Sequence, residues 1–315
     1  MNPLAQFTGL ENAALPPGPL HLAIGMFDGV HLGHRAVIEA AVQSARRSGG
    51  TVAVLTFAPH PSVIFRPGQP TRLIMDSGTK ARVLHRMGVE AMITQPFTPE
   101  FAQVAAGDFL PWLKQRAPQL AAVYVGENFR FGRGRSGDIT LLVAEGRKHG
   151  LTIFSAPRVN FDGEPISSTR IRGLLESGDV AAANALLGYT YFAEGPVVSG
   201  KRLGQSLGFP TLNVNWAPDL RPRYGVYVVR VSGAKSVTAL PGVANYGLRP
   251  TVEQAGVEPR LEVHLLGDCP FGTGDWVTVK WLRFLRPEVK FAGVEELSAQ
   301  IARDRTAAAA DFSLQ

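Results

Sequence analysis

With 315 residues, 45% of them hydrophobic and 18% charged, the chain has a globular composition and the length for two domains, each with its own core. Its one cysteine, Cys269, excludes an intrachain disulfide and points to a cytoplasmic setting; no window of about 18 apolar residues exists to span a membrane, and residues 1–20 lack the basic and apolar regions of a secretion signal. The net charge of +6 suits phosphate-bearing substrates, nucleic acid or a membrane surface, and does not choose among them.

Residues 20–27 form a short apolar run that ends in a turn rich in Gly and His. Residues 34–48 read as a helix, with Val37, Ala40, Ala41 and Ala45 near one face and Gly49-Gly50 as its stop. Further strands are expected at 51–57, 89–94, 121–126 and 151–155, with helices at 77–87, 108–114 and 137–149 between them. Strands separated by helices argue for a parallel sheet covered on both faces. Two more helices, 168–176 and 180–187, close this half. After Gly188 the pattern changes. Strand-like stretches at 189–198, 211–216, 226–231, 260–266 and 276–284 are separated by Gly- and Pro-rich turns without a helix-length insert, which predicts an antiparallel barrel or sandwich. An amphipathic helix is expected at 294–305, with the alanines at 307–310 as its frayed end. The predicted organisation is therefore α/β followed by β, with domains at 1–188 and 189–315.

The first chemical constellation is Gly25-Met26-Phe27-Asp28-Gly29-Val30-His31-Leu32-Gly33-His34, between the first predicted strand and the first helix. In open α/β sheets ligands bind at the carboxyl ends of strands. Gly25, Gly29 and Gly33 let backbone approach a ligand, and two imidazoles at a helix start sit where amide donors and the helix dipole favour an anion. There they could contact phosphates and stabilise charge on a phosphorus under attack. A capping role is the plainer alternative, and zinc ligation by His31 and His34 lacks the cysteine cluster that would support it.

This segment resembles the His-x-Gly-His signature of the nucleotidyltransferase superfamily, in the form carried by FAD synthetases. Three further stretches are similar to that family. Thr56-Phe57-Ala58-Pro59-His60-Pro61 follows the second strand. Asn128-Phe129-Arg130-Phe131-Gly132-Arg133-Gly134-Arg135 follows the strand ending at Gly126, and Ile166-Ser167-Ser168-Thr169-Arg170-Ile171-Arg172 opens a helix. The last combines hydroxyls, helix-start amides and two guanidinium groups, a natural phosphate clamp; taken alone it is an ordinary Ser cap with exposed arginines. The Phe/Arg/Gly stretch also has the make-up of an RNA-binding segment.

The second constellation is Gly200-Lys201-Arg202-Leu203-Gly204-Gln205-Ser206-Leu207-Gly208-Phe209-Pro210-Thr211-Leu212-Asn213. It misses a phosphate-binding P-loop at Arg202, and no helix follows. Its glycines and bases suit an anion-binding nest, and Thr211 and Asn213 project to one face of a strand, where a hydroxyl and an amide could hold Mg²⁺. A hairpin with a glycine turn is the alternative. The segment resembles the flavokinase signature. Residues 225–227, 242–251, Leu261-Glu262-Val263-His264 and Leu285-Arg286-Pro287-Glu288-Val289-Lys290-Phe291 extend that resemblance in order, with 242–251 read as a turn-rich link and Glu262 and His264 on one strand face.

The resemblance to bifunctional riboflavin kinase/FAD synthetases implies a Rossmann-like nucleotidyltransferase domain and then a β-barrel flavokinase domain with a C-terminal helix. It implies two reactions, riboflavin to FMN and FMN to FAD, with MgATP in each. It also implies roles. In the adenylyltransferase these are His31 and His34 for catalysis; Gly25, Phe27, Asp28, Gly33, Ser167, Ser168, Thr169, Arg170 and Arg172 for ATP; and Pro59, His60, Asn128, Phe129 and Arg130 on the flavin side. In the kinase they are Glu262 as base; Gly200, Lys201, Gly204, Gly208 and Thr211 for ATP; Thr211 and Asn213 for Mg²⁺; and Arg286 for flavin. The family's usual Asn, Asp and Arg are replaced here by Met26, Asn128 and Gln205, so retention of a single activity stays open beside a flavin- or nucleic-acid-binding protein on the same scaffold. The expected partners are small molecules, with neither membrane nor nucleic acid among them.

Overall fold

In the computed structural model, residues 4–200, 208–248 and 259–313 are described, and tertiary contacts divide the chain into two units, Met1–Ser168 and Thr169–Gln315. The first unit holds β1 (Ala5–Thr8), β2 (Leu20–Ile24), α1 (Leu32–Ser48), β3 (Thr51–Ala58), α2 (Ser62–Phe65), α3 (Ser77–Arg86), β4 (Ala91–Pro96), α4 (Phe109–Arg116), β5 (Leu120–Gly126), α5 (Ile139–Lys148), β6 (Thr152–Ala156) and a small hairpin of β7 (Asn160–Phe161) and β8 (Glu164–Pro165). Six strands form one parallel sheet in the order β1-β4-β3-β2-β5-β6. All of β2 and the first six residues of β3 are buried, as a sheet covered on both faces requires. The edge strand β1 was not among the sequence expectations: Ala5–Thr8 is mostly exposed and carries no apolar run.

The strand order places the fold's crevice. From β2 the chain winds outward through β3 and β4, then returns to lay β5 on the other side of β2. A crevice at such a switch point opens at the carboxyl ends of β2 and β5. Those ends lead into Gly25–His34 and into Glu127–Gly137. Helix α1 buries Val37, Ile38, Ala41, Val42 and Ala45; Ala40, expected on that face, is only half-buried, because the buried stripe runs through Ile38 and Val42 instead. Gly49 ends the helix in the left-handed conformation, at φ 64°.

The second unit begins with α6 (which starts at Ser168 and runs to Ser177) and α7 (Val180–Leu187). It continues with β9 (Phe192–Val198), β10 (Leu212–Val214), β11 (Gly225–Gly233), β12 (Leu240–Gly247), β13 (Arg260–Leu265), β14 (Trp276–Arg286) and α8 (Val294–Ser313). The six strands close into an antiparallel barrel, β10-β13-β12-β11-β14-β9. Trp281, Tyr227 and Tyr246 fill it and are fully buried; the Tyr227 and Trp281 rings meet edge to face at 4.4 Å. Full closure leaves no exposed sheet edge. Residues 242–247, read from sequence as a turn-rich link, are strand: β12 pairs with β11 on one side and β13 on the other.

Helix α8 also departs from expectation. It runs unbroken through the alanines to Ser313, and Ala308 is fully buried against Val226, Val228 and Val243. The alanines are therefore helical rather than frayed, and of the four Ala308 is the one that is buried. The helix is tied to β14 by ion pairs Arg283–Asp311 and Arg286–Asp304. Arg286 makes a forked contact, with Nε and Nη2 donating to the buried Asp304 carboxylate at 2.9 and 2.7 Å. Replacing Asp304 by Ala strands that guanidinium, and we expect the barrel to lose roughly 3 kcal/mol. A urea midpoint unchanged from the parent chain would show that the pair is dispensable.

Candidate active sites

In the first unit the backbone is strained where the crevice lies. Phe27 and Val30 adopt φ of 47° and 38°, a region that bulky and β-branched residues avoid, and both are buried. Their turn is held from several directions. The Met26 carbonyl accepts from Thr56 Oγ1 at 3.0 Å and from Lys80 Nζ at 2.8 Å. The buried Asp28 carboxylate accepts the Ile74 N–H at 2.9 Å, and the Asp28 carbonyl accepts from Ser168 Oγ at 2.8 Å.

At the end of this turn His31 caps α1: its Nδ1 accepts the His34 N–H at 3.3 Å. The two imidazoles stack, with centroids 3.6 Å apart and planes 17° from parallel. Phe27 meets the His34 ring edge-on at 5.3 Å. A side chain at Gly33 would press into the His31 ring, so the Gly between the histidines is what admits the stack. Burial, then the neighbouring His31 and Lys80, hold the His34 imidazolium well below its ordinary pKa. His34 is thus neutral at pH 7, and its buried Nδ1 has no hydrogen-bond partner among the described residues.

The structure places the other residues predicted for adenylyl transfer unevenly. Gly25, Phe27, Asp28 and Gly33 form the turn itself. Ser168 braces it through Asp28, and Ser167 directly precedes that serine at the start of α6; Thr169, Arg170 and Arg172 lie in the first turns of α6. Pro59 follows a cis peptide at the end of β3, and His60 is engaged locally, with Nδ1 2.7 Å from Ser62 Oγ. Asn128 is exposed. Arg130 pairs with Asp138 at 3.3 Å, while Phe129 stacks on Phe131, which is buried. The aromatic groups of this stretch therefore pack inward, and an antiparallel bridge from Phe131 to Gly137 closes it. The RNA-like composition is explained by this local packing.

Sequence reasoning missed an aromatic group after β3 and β4. Phe57, Phe97 and Phe101 lie at the ends of β3 and β4 and just beyond, and Phe65 meets Phe97 edge to face at 5.9 Å while remaining 58% exposed. The signal was present: Phe65 follows the Pro-His-Pro stretch by four residues.

In the second unit, strand register assembles the polar groups. Asn213 on β10 lies directly opposite Glu262 on β13, and Glu262 lies opposite Asn245 on β12. Directly opposed residues share a face, so the three form one row on the barrel's outer surface, since Leu261 and Val263 turn inward. A side chain at Gly200 would overlap the Asn213 amide, and one at Gly247 would overlap the Glu288 carboxylate. The row continues to Glu288, whose Oε1 accepts from Asn245 Nδ2 at 3.2 Å. Burial raises the Glu288 pKa, opposed by its hydrogen bonds from Asn245 and Leu248 and by Arg286, and the charge of Glu262 adds to the rise. Asn245 and Glu288 are the functional candidates that sequence reasoning passed over. His264, next on the same strand face, is engaged with the Pro210 carbonyl at 2.8 Å.

Thr211 directly precedes β10, and Gly208 sits in a turn at φ 80°. Lys201 and Gly204, with Gln205, lie outside the described residues. Arg286, expected beside flavin, gives its guanidinium to Asp304 and to the Pro287 carbonyl at 3.0 Å.

Family comparison matches this division. The FAD synthetase model matches residues 16–170 and the riboflavin kinase model residues 187–312. The chain is 39% identical over 293 residues to the bifunctional riboflavin kinase/FMN adenylyltransferase of Escherichia coli, covering 93% of each. The chain belongs to this family. The family's Haemophilus influenzae member is 34% identical over 305 residues, covering 97% of this chain and 98% of that protein. The Bacillus subtilis member is 35% identical over 298 residues, covering 93% and 92%. A crystal structure described as a macrolide-efflux protein from Streptococcus pneumoniae matches with a TM-score of 0.84 at 27% identity, over 97% of this chain and 99% of that one. Among the described residues of this family member, no helix is long and apolar enough to cross a membrane.

Proposed function

We propose that this chain makes FMN from riboflavin in its barrel domain and FAD from FMN in its N-terminal domain, each step using ATP. The observation that carries this reading is the presence of both constellations in one chain: the stacked His31–His34 pair at the start of α1, and the Asn213–Glu262–Asn245 row on the barrel. We assign residues 1–188 to adenylyl transfer and 189–315 to the kinase.

In the kinase reaction the 5′-hydroxyl oxygen of riboflavin attacks the γ-phosphorus of ATP and ADP leaves. Glu262 accepts the hydroxyl proton. Asn213 and Asn245 flank that residue from both neighbouring strands. The Thr211 hydroxyl and the Asn213 amide supply hard oxygen donors beside a carboxylate, a set that fits Mg²⁺. When bound, that ion would neutralise phosphate charge.

In the second reaction an FMN phosphate oxygen attacks the α-phosphorus of ATP and pyrophosphate leaves. No proton has to be removed from a phosphate monoester dianion, so the site's task is orientation and charge stabilisation. We assign the triphosphate to the α1 amides and the His31–His34 pair, with Ser167 and Ser168. The exposed Phe65, backed by Phe97, offers the flavin ring a stacking face, and we assign Pro59, His60 and the Asn128–Arg130 loop to the same substrate. Met26 stands where the family carries Asn, and here the backbone carbonyl, not the side chain, makes the contacts. A single exposed cysteine suits the cytoplasm.

The test is product chromatography with MgATP and either riboflavin or FMN. FMN from the first and FAD from the second is the expected result. FAD from FMN with riboflavin untouched would mean a synthetase with a silent barrel, and the converse a kinase alone. No product from either would favour a binding protein.

A further inference from the structure

A buried lysine stands under the turn that leads to the histidine pair. Lys80 lies on α3, 54 residues from Met26 in sequence, and is only 6% exposed. Burying an ammonium is costly unless it is paired and hydrogen-bonded, so its partners indicate its task. Nζ donates to the Met26 carbonyl at 2.8 Å and to Thr56 Oγ1 at 3.3 Å. Thr56 Oγ1 in turn donates to the same carbonyl, closing a three-membered hydrogen-bond ring between α3, β3 and the strained turn. Asp28 sits close enough to offset part of the desolvation of Lys80, and Lys80 close enough to His34 to disfavour its protonation. The titratable groups acting on one another here are Asp28 from the turn, His31 and His34 from α1, and Lys80 from α3.

We infer that Lys80 is a positioning residue for adenylyl transfer: its ammonium pins the Met26 carbonyl so that the Phe27–Val30 turn and the His31–His34 pair are held in register. This rests on the adenylyltransferase reading of the site. It also accounts for Met26, because the turn is anchored through a backbone atom that any residue at that position supplies.

The test is Lys80→Met in the full chain, with two readouts. FAD formation from FMN is expected to fall about 100-fold in kcat, the cost of misplacing a reacting group by roughly 1 Å, with riboflavin phosphorylation at the parent rate. Histidine titration by NMR is expected to show His34 protonating at higher pH than in the parent chain, since a neighbouring cation has been removed. FAD formation within twofold of the parent, or an unmoved His34 titration, would overturn the inference. If Lys80→Met loses the thermal transition of the first unit, Lys80→Gln keeps a donor for Met26 without the charge. The same upward titration shift is expected there, and its absence counts equally against the assignment. The titration is read whether or not FAD forms, so a parent chain that makes no FAD would refute the adenylyltransferase reading while Lys80 is still judged on His34.

Discussion

Glu262→Gln is expected to lower riboflavin phosphorylation by about 10²–10⁴-fold, the usual contribution of a positioned general base. The substitution is close to isosteric, and the amide keeps its place between Asn213 and Asn245. What it loses is the ability to take the hydroxyl proton. FMN supplied from outside should still be converted to FAD, because the histidine pair lies in the other unit. Rates of FMN and FAD formation measured on one preparation decide the matter. A kinase rate unchanged from the parent would remove Glu262 as base and direct attention to Glu288, the carboxylate bonded to Asn245. The charge of Glu262 adds to the rise that burial imposes on the Glu288 pKa.

His31→Ala is expected to do the reverse. It removes the cap on α1, worth about 1 kcal/mol, and the ring against which His34 stacks. In the proposed reaction it also removes a donor to developing phosphate charge, a loss that typically costs about 10²–10³-fold. FAD formation should fall by that amount while riboflavin phosphorylation stays at the parent rate. If both activities fall together in a chain that remains folded, the assignment of His31 to one site is wrong.

Much of this architecture is written locally. Apolar runs of strand length separated by helix-length amphipathic stretches give a parallel sheet almost unaided, because only a sheet covered on both faces buries such strands. The Gly-rich turn with His31 and His34 is contiguous, so the signature, the cap and the helix start are all readable within ten residues. The change to strands and turns after Gly188 likewise marks the barrel.

The rest depended on partners remote in the chain. β1 is a mostly exposed edge strand with no apolar pattern, and only its pairing with β4 makes it a strand. β12 contains Pro241 and Gly242, which break the local pattern; its ladders to β11 and β13 override them. Helix α8 continues past residue 305 because Ala308 finds a buried seat on the barrel wall. The same holds for the site. Lys80 in sequence is one cation in an amphipathic helix, and Asn245 and Glu288 are polar residues in segments that carry the resemblance without marking either one. Strand register and the packing of α3 bring them to Met26 and Glu262. Local periodicity and contiguous motifs determined the elements and the chemistry they carry; the tertiary fold alone decided which distant polar groups are buried together, since a buried charge is tolerated only where folding supplies its partners.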